Sequence, residues 1–242
     1  MGKRPPPPRE RMGEHLTPTA IAHESLVQAT TNQNAWIEID LAAAAGNVRS
    51  LKQAMGGSEL IAVVKATAYG AGAAALAPAL EQAGVARFAV VWPHEGYMLR
   101  QAGVALPILV LGHAFPADAV PAVRSRLTLT CHSLELGEAI SRAAANAGVT
   151  AKVHVKVDTG LHRFGLELDA AVALAEELRS LPHIEVEGLT THMANADEAD
   201  MSAAIGAARA AFDDTDWSTN TELRVRCLRQ LREAMQANLE DL

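Results

Sequence analysis

Lys65 is the residue whose type and position could do chemistry most directly. It ends the apolar run 61–64 and is followed at once by the glycine-punctuated segment 66–72, which reads ATAYGAG. Lysine is rarely buried without a reason, and only five of the 21 basic residues are lysines. An amine desolvated at a strand end becomes a nucleophile toward an aldehyde, so Lys65 is a Schiff-base candidate. The alternative is a lysine that extends from the strand end into solvent.

Ionisable residues also follow a later strand. With the alternation of a strand, His154, Lys156 and Asp158 share one face, where charged side chains are costly unless they line a site. Catalytic groups in α/β folds gather at the carboxyl ends of strands. We therefore expect four side chains to lie together at the carboxyl-end edge of the sheet, which we call the mouth: Lys65, Lys156, Arg163 and His192. Taken separately, Lys156 could be a structural ion-pair member and His192 a satisfied core histidine.

Three other patterns are weaker. The pair Gly70 and Gly72 is as typical of ordinary turns as of phosphate-binding loops. Residues 131–132 (Cys-His) suggest a thiol dyad, but neighbours at a strand end point apart. His192 with the acidic residues 197–198 lacks a third clear metal ligand, so we expect no metal.

The elements that must position these residues alternate along the chain. Short β-branched runs are separated by alanine-rich helical stretches, which predicts an α/β fold with parallel strands joined by helical crossovers. The predicted strands are 60–64, 87–91, 107–111, 127–130, 152–157 and 184–189. The predicted helices are 41–55, 72–83, 93–102, 116–124, 133–147, 168–180 and 201–212. These are about six of the eight units of a TIM-barrel-like (β/α) domain.

The two ends of the chain differ from this pattern. Residues 1–34, with four consecutive prolines, have the composition of a disordered leader. Residues 213–242 read as an acidic linker followed by an amphipathic helix. That helix either covers an exposed sheet edge or forms a dimerising coil. The barrel-like domain is therefore predicted for residues 35–212.

Composition excludes several classes of protein. A net charge of -7 argues against a nucleic-acid surface, because phosphate binding needs a concentrated basic face. Cys131 and Cys227 lie far apart without zinc-ligand spacing, which predicts a reduced intracellular protein without a disulfide framework. We find neither a membrane-spanning apolar run nor a secretory signal, and we expect a cytoplasmic location.

From residue 36 to about 212, the sequence resembles the N-terminal barrel of alanine racemases, which are pyridoxal 5'-phosphate (PLP) enzymes. Four segments occur in the family's order: 35–41 (AWIEIDL), 62–72 (AVVKATAYGAG), 156–165 (KVDTGLHRFG) and 188–198 (GLTTHMANADE). Thr67 stands where the family usually has Asn or Asp, and Ala71 where it usually has His.

The resemblance implies a role for each candidate residue. Lys65 would hold the cofactor covalently and serve as one general base at the substrate α-carbon. Tyr69 would bond the cofactor phosphate, and Arg163 would lie near the pyridoxal ring oxygen. Lys156, carbamylated in many family members, would orient Arg163 through a charge-assisted pair. His192 would line the wall behind the cofactor.

The same resemblance implies interconversion of L-alanine and D-alanine for cell-wall precursors by a homodimer. In the family the second base is a tyrosine from a C-terminal β domain of the partner subunit. The tyrosines of this sequence, Tyr69 and Tyr97, do not match that motif, and strands seven and eight and the β domain have no counterpart. We therefore expect a truncated chain with little racemase activity, whose exposed sheet edges favour aggregation or closure by another subunit. A non-catalytic PLP-binding protein, an inactive fragment and a cofactor-free Schiff-base aldolase remain alternatives.

Overall fold

Six parallel strands form one sheet in the computed structural model, which describes residues 37–56 and 58–194. The strands pair in chain order: β1 (Ile61–Val63), β2 (Arg87–Val90), β3 (Ile108–Val110), β4 (Leu127–Cys131), β5 (Ala151–Lys156) and β6 (Ile184–Thr190). The α/β fold with a parallel sheet is therefore confirmed. Predicted helix 201–212 and the proposed terminal segments 1–34 and 213–242 lie outside the described residues.

Of the helices, one precedes β1 and the others connect successive strands. They are α1 (Leu41–Ala54), α2 (Ala73–Gln82), α3 (Pro93–Gln101), α4 (Ala119–Arg124), α5 (Leu134–Ala147) and α6 (Leu168–Ser180). One further helical turn, Lys65–Tyr69, follows β1, and a 3-10 turn, Pro116–Asp118, precedes α4. Among the described residues, no helix combines the length and the apolar character needed to cross a membrane.

Local sequence signals set the helix ends. The Asp40 carboxylate accepts hydrogen bonds from the amides of Ala42 and Ala43 at 2.9 Å, which caps α1. At the other ends, Gly84, Gly103 and Gly148 follow α2, α3 and α5 with positive φ angles.

The core lies between the sheet and its helices and consists of small and branched side chains. Phe88, Val90, Ile108, Val110 and Val153 on the strands are all fully buried. The helices can approach closely because they contain small residues. For example, a Cβ atom at Gly137 of α5 would lie 2.1 Å from Leu178 of α6.

Two side chains from distant strands show how strongly the sheet curves. Arg87 on β2 and Glu187 on β6 form a two-pronged ion pair at 2.7 and 2.9 Å. Four strand spacings separate β2 from β6, which in a flat sheet would be roughly 19 Å. The two side chains cannot span that distance, so the sheet is curled in the manner of a barrel wall.

Candidate functional site

The loop after β1 has an unusual backbone. Lys65 opens the turn, and the next four residues, 66–69, have φ angles of 48°, 52°, 58° and 56°. They form one turn of left-handed helix without a single glycine, at a cost of roughly 1–2 kcal/mol per residue. The sequence predicts a glycine-punctuated loop here but not its hand.

This turn presents Lys65 and Tyr69 together. The Lys65 amine lies 5.7 Å from the centroid of the Tyr69 ring, within range of a cation–π contact. Lys65 is half-buried, whereas Tyr69 is 69% exposed. The Lys65 amine and the Tyr69 phenol thus lie close together at the carboxyl end of β1.

Lys156 ends β5 and is only 5% exposed. Its amine lies 5.8 Å from the centroid of the Phe164 ring, and in the described part of the chain no carboxylate forms an ion pair with it. Burial and the nearby Arg163 cation lower the pKa of Lys156, and the Asp158 carboxylate opposes this shift only in part. The alternative of a structural ion pair is therefore not what the described residues form.

The loop after β5, which carries Arg163, is closed by Asp158. One carboxylate oxygen of Asp158 accepts hydrogen bonds from the amides of Gly160 at 3.0 Å and His162 at 3.1 Å. Gly165 has a φ angle of 146°, and a Cβ atom there would lie 2.7 Å from the Asp158 nitrogen. The loop can therefore close only with glycine at this position, and Arg163 is exposed on it.

His192 follows β6 and reports on the charges around it. Its pKa is lowered by partial burial and by the cations Arg163, Lys156 and Lys65, in that order. The hydroxyls of Thr159 and Thr191 also bond at 2.8 Å and join the loops after β5 and β6. The three cations expected at one mouth thus lie within electrostatic reach of His192, although the four side chains follow three different strands.

The mouth also contains an aromatic cluster that the sequence did not predict as a group, although it drew attention to His132 beside Cys131: His113, Phe115, His132 and Phe164. The rings of His113 and His132 are 3.9 Å apart, and Phe164 contacts both. His113 follows β3 and His132 follows β4, so the rule that strand ends carry sites was the signal that could have found them. Phe164 links this cluster to the Lys156 amine.

Two further groups are buried away from such chemistry. The Cys131 thiol is fully buried, donates to the Ser133 carbonyl, and has a pKa raised chiefly by burial, which does not favour a thiol dyad. The Tyr97 hydroxyl is buried without a partner among the described residues, and burial and Asp118 raise its pKa. Asp197 and Glu198 lie outside the described residues.

Comparison with known proteins gives the family. The profile described as "Alanine racemase, N-terminal domain" matches residues 39–238. The alanine racemase of Symbiobacterium thermophilum is 43% identical over 163 residues, which are 67% of this chain and 43% of the relative. The chain thus belongs to the alanine racemase N-terminal domain family, and it spans less than half the length of the curated relatives that it matches.

Solved structures agree with the fold. Alanine racemase from Bacillus anthracis with bound L-Ala-P superimposes with a TM-score of 0.63 at 33% identity, over 75% of this chain and 47% of that one. A histidine racemase from Leuconostoc mesenteroides gives a TM-score of 0.62 at 31% identity, over 68% and 45%. The family profile extends beyond residue 212, the domain boundary predicted from the sequence.

Proposed function

We propose that this chain is the cofactor-binding part of a PLP-dependent alanine racemase. The observation that carries the proposal is the convergence of Lys65, Lys156 and Arg163 on His192 at the carboxyl ends of β1, β5 and β6. PLP carries a phosphate and a ring oxygen that are both anionic, and the Arg163 guanidinium at this mouth suits an anion. The half-buried amine of Lys65 suits its aldehyde.

Each side chain then has a task. Lys65 would hold the cofactor covalently, and its amine, once released, would move a proton at the substrate α-carbon. Tyr69, on the same turn, would donate a hydrogen bond from its hydroxyl to the phosphate. Arg163 would bind the ring oxygen, and His192 would line the wall of the site. The cofactor, when bound, supplies an electron sink that stabilises a carbanion at that carbon.

Lys156 acts indirectly, through Arg163. Burial disfavours the ammonium form of Lys156, and the nearby guanidinium group also repels it, which is why its pKa is lowered. A neutral amine can add to carbon dioxide with release of a proton to solvent, and the carbamate that forms is an anion able to accept a two-pronged hydrogen bond from Arg163. This modification turns an unfavourable neighbour of Arg163 into one that orients it.

The chain supplies one of the two acid/base groups that racemisation requires. The phenol of Tyr97 is buried, and Tyr69 is assigned to the phosphate. We therefore expect the 242-residue chain, assayed alone, to bind PLP with little or no racemisation. A non-catalytic PLP-binding protein is the second candidate, and the buried Tyr97 hydroxyl is the observation that favours it.

Substrate and setting form the finer part of the proposal. Alanine is favoured because the curated relatives are named alanine racemases, although a structural neighbour is named a histidine racemase. D-alanine for cell-wall precursors, a cytoplasmic location and a homodimer follow from the same family likeness. A racemisation assay with alanine, serine and histidine, with and without PLP, tests the choice of substrate.

Cofactor binding is tested by adding PLP to the purified chain, reducing with borohydride and mapping the modified lysine by peptide mass analysis. We expect a pyridoxyl group on Lys65 and none at this position in Lys65→Ala. Lys52→Ala is the matched control, because the Lys52 amine bonds to the Gly84 carbonyl at 2.9 Å and has no place at the mouth. Labelling spread over several lysines, or absent, would overturn the proposal.

A further inference from the structure

The left-handed turn 66–69 is costly and needs an external support. Four non-glycine residues with positive φ angles sum to roughly 4–8 kcal/mol of backbone strain, and such strain persists only where the surroundings enforce it. Lys65 directly precedes the turn, and Tyr69 is its last residue. Whatever holds the turn therefore fixes where the amine and the phenol point.

The turn's backbone hydrogen bonds close it and join it to the end of β1, where the Ala68 amide donates to the Val64 carbonyl at 2.9 Å. The Gly70 amide donates to the Ala66 carbonyl at 2.9 Å, and the Gly72 amide donates to the Thr67 carbonyl at 2.7 Å. Both partners belong to the same loop. Among the described residues, the hydrogen bond that joins turn 66–69 to another helix is donated by the Ala66 amide to the carboxylate of Glu95.

Glu95 is itself rigidly held. It lies in the first turn of α3, and its second oxygen accepts hydrogen bonds from the amides of Val91 and Trp92, both at 2.9 Å. Burial acts to raise the pKa of Glu95, but the amide bonds from Trp92, Ala66 and Val91 outweigh it and lower the pKa. The carboxylate is thus ionised and has three fixed donors.

We infer that Glu95 is a positioning residue, which ties the left-handed turn to the β2–α3 connection and so sets the orientation of Lys65 and Tyr69. It touches neither substrate nor cofactor. The inference rests on the proposed function where it concerns PLP. Its geometric half, that the hydrogen bond from Ala66 to Glu95 holds the turn, concerns this chain alone.

Amide hydrogen exchange tests the geometric half without cofactor. In Glu95→Ala we expect the amide of Ala66 to exchange about tenfold faster or more, because a hydrogen bond to a charged group is lost. Glu95→Gln, which keeps one acceptor oxygen, should show a smaller change and serves if the alanine variant does not fold. Glu135→Gln is the control, since Glu135 lies in the first turn of α5.

The second arm measures the dissociation constant for PLP and the yield of adduct on Lys65 in the same variants. We expect Glu95→Ala to weaken binding about tenfold or more and Glu135→Gln to leave it unchanged. If Glu95 only caps α3, Glu95→Ala would speed exchange at the amides of Val91 and Trp92. It would leave the exchange rate of the Ala66 amide and the affinity for PLP unaltered. That result would overturn the inference.

The two proposals fail in different ways. If the unmodified chain forms no adduct on Lys65, the proposed function is wrong, and the exchange rate of Ala66 alone decides the role of Glu95. If the unmodified chain forms the adduct and folded Glu95→Ala forms it equally well, the proposed function stands. In that case Glu95 is not a positioning residue.

Discussion

At the scale of single residues, Lys156 has the environment least suited to an ammonium group. It is buried, a phenyl ring covers its amine, and among nearby charges the Arg163 cation affects its pKa more than the Asp158 carboxylate does. Desolvation and like charge both favour the neutral amine. Neutral amines react with carbon dioxide, so this residue is where a change of charge at the mouth is expected.

His192 can report the charge of Lys156. Since Lys156 is one of three cations that lower the pKa of His192, Lys156→Met should raise that pKa. NMR titration of the imidazole measures it. The control is Lys152→Met, because Lys152 lies on the same strand but pairs with Glu187 at 2.9 Å. An unchanged pKa in Lys156→Met would contradict a charged Lys156 amine near His192.

The same titration examines the carbamate. Added bicarbonate should raise the pKa of His192 in the chain without substitutions, because an anion would replace a neutral or cationic group at Lys156. It should have no such effect in Lys156→Met. A pKa that rises equally in both proteins would rule out modification of Lys156 as the cause.

At the scale of elements, the loop after β5 depends on Gly165. Gly165→Ala should lower the free energy of unfolding by about 2–5 kcal/mol, since it adds a steric clash with the Asp158 nitrogen to the cost of a positive φ angle. It should also weaken PLP binding by displacing Arg163. Urea unfolding and PLP titration measure the two effects.

Gly103→Ala separates the cost of the positive φ angle from the cost of the steric clash. Gly103 also has a positive φ angle, 89°, but a Cβ atom there would meet nothing within 4 Å. Gly103→Ala should lower the free energy of unfolding by about 1–2 kcal/mol, which is the cost of the positive φ angle alone. Equal destabilisation by the two substitutions would mean that the close approach at Gly165 does not matter.

Most elements could be predicted from the sequence because their signals are local. Apolar runs mark the strands, and glycines such as Gly103 and Gly148 mark the ends of helices. The left-handed turn could not be predicted, because Ala66 and Ala68 carry no preference for positive φ. Its support by Glu95 comes from a residue 29 positions away in the sequence.

At the scale of the whole molecule, Glu187 on β6 interacts with side chains from two other strands. Its carboxylate binds Arg87 of β2 and Lys152 of β5, and His154 lies 3.4 Å from it. Bonds from His154, Arg87 and Lys152 hold the pKa of Glu187 well below its usual range. The curl of the sheet therefore depends in part on an ionised side chain.

Acid should weaken this network. Because the pKa of Glu187 is lowered in the folded state, its contribution to stability is complete above the unfolded pKa near 4.3 and is lost as the pH falls below it. Glu187→Gln should cost roughly 2–3 kcal/mol at pH 7 and progressively less toward pH 3. Urea unfolding across that range gives the difference.

The matched control is Glu138→Gln. Glu138 pairs with Arg142 at 3.6 Å within α5, and both side chains are largely exposed, so the expected cost is below about 1 kcal/mol. A cost for Glu187→Gln that does not change with pH would contradict the assignment of the effect to its charge.

The placing of Lys65, Lys156 and His192 at one edge of the sheet could be predicted from the sequence, whereas the curvature of the sheet could not. Parallel strands in chain order bring their carboxyl ends to one edge, so Lys65, Lys156 and His192 could be expected together. Nothing local in the sequence pairs Arg87 with Glu187, which are 100 residues apart. Long-range side-chain pairs leave no periodic signal.

That pair also has a consequence for the order in which the chain folds. Each strand of the sheet hydrogen-bonds to the one made just before it, so pairing can keep pace with synthesis on the ribosome. The ion pair of Arg87 and Glu187 must wait until β6 has emerged, and it closes the longest loop of any named contact between strands. A ribosome-bound chain that stops before residue 187 would carry a sheet whose curvature is not yet fastened.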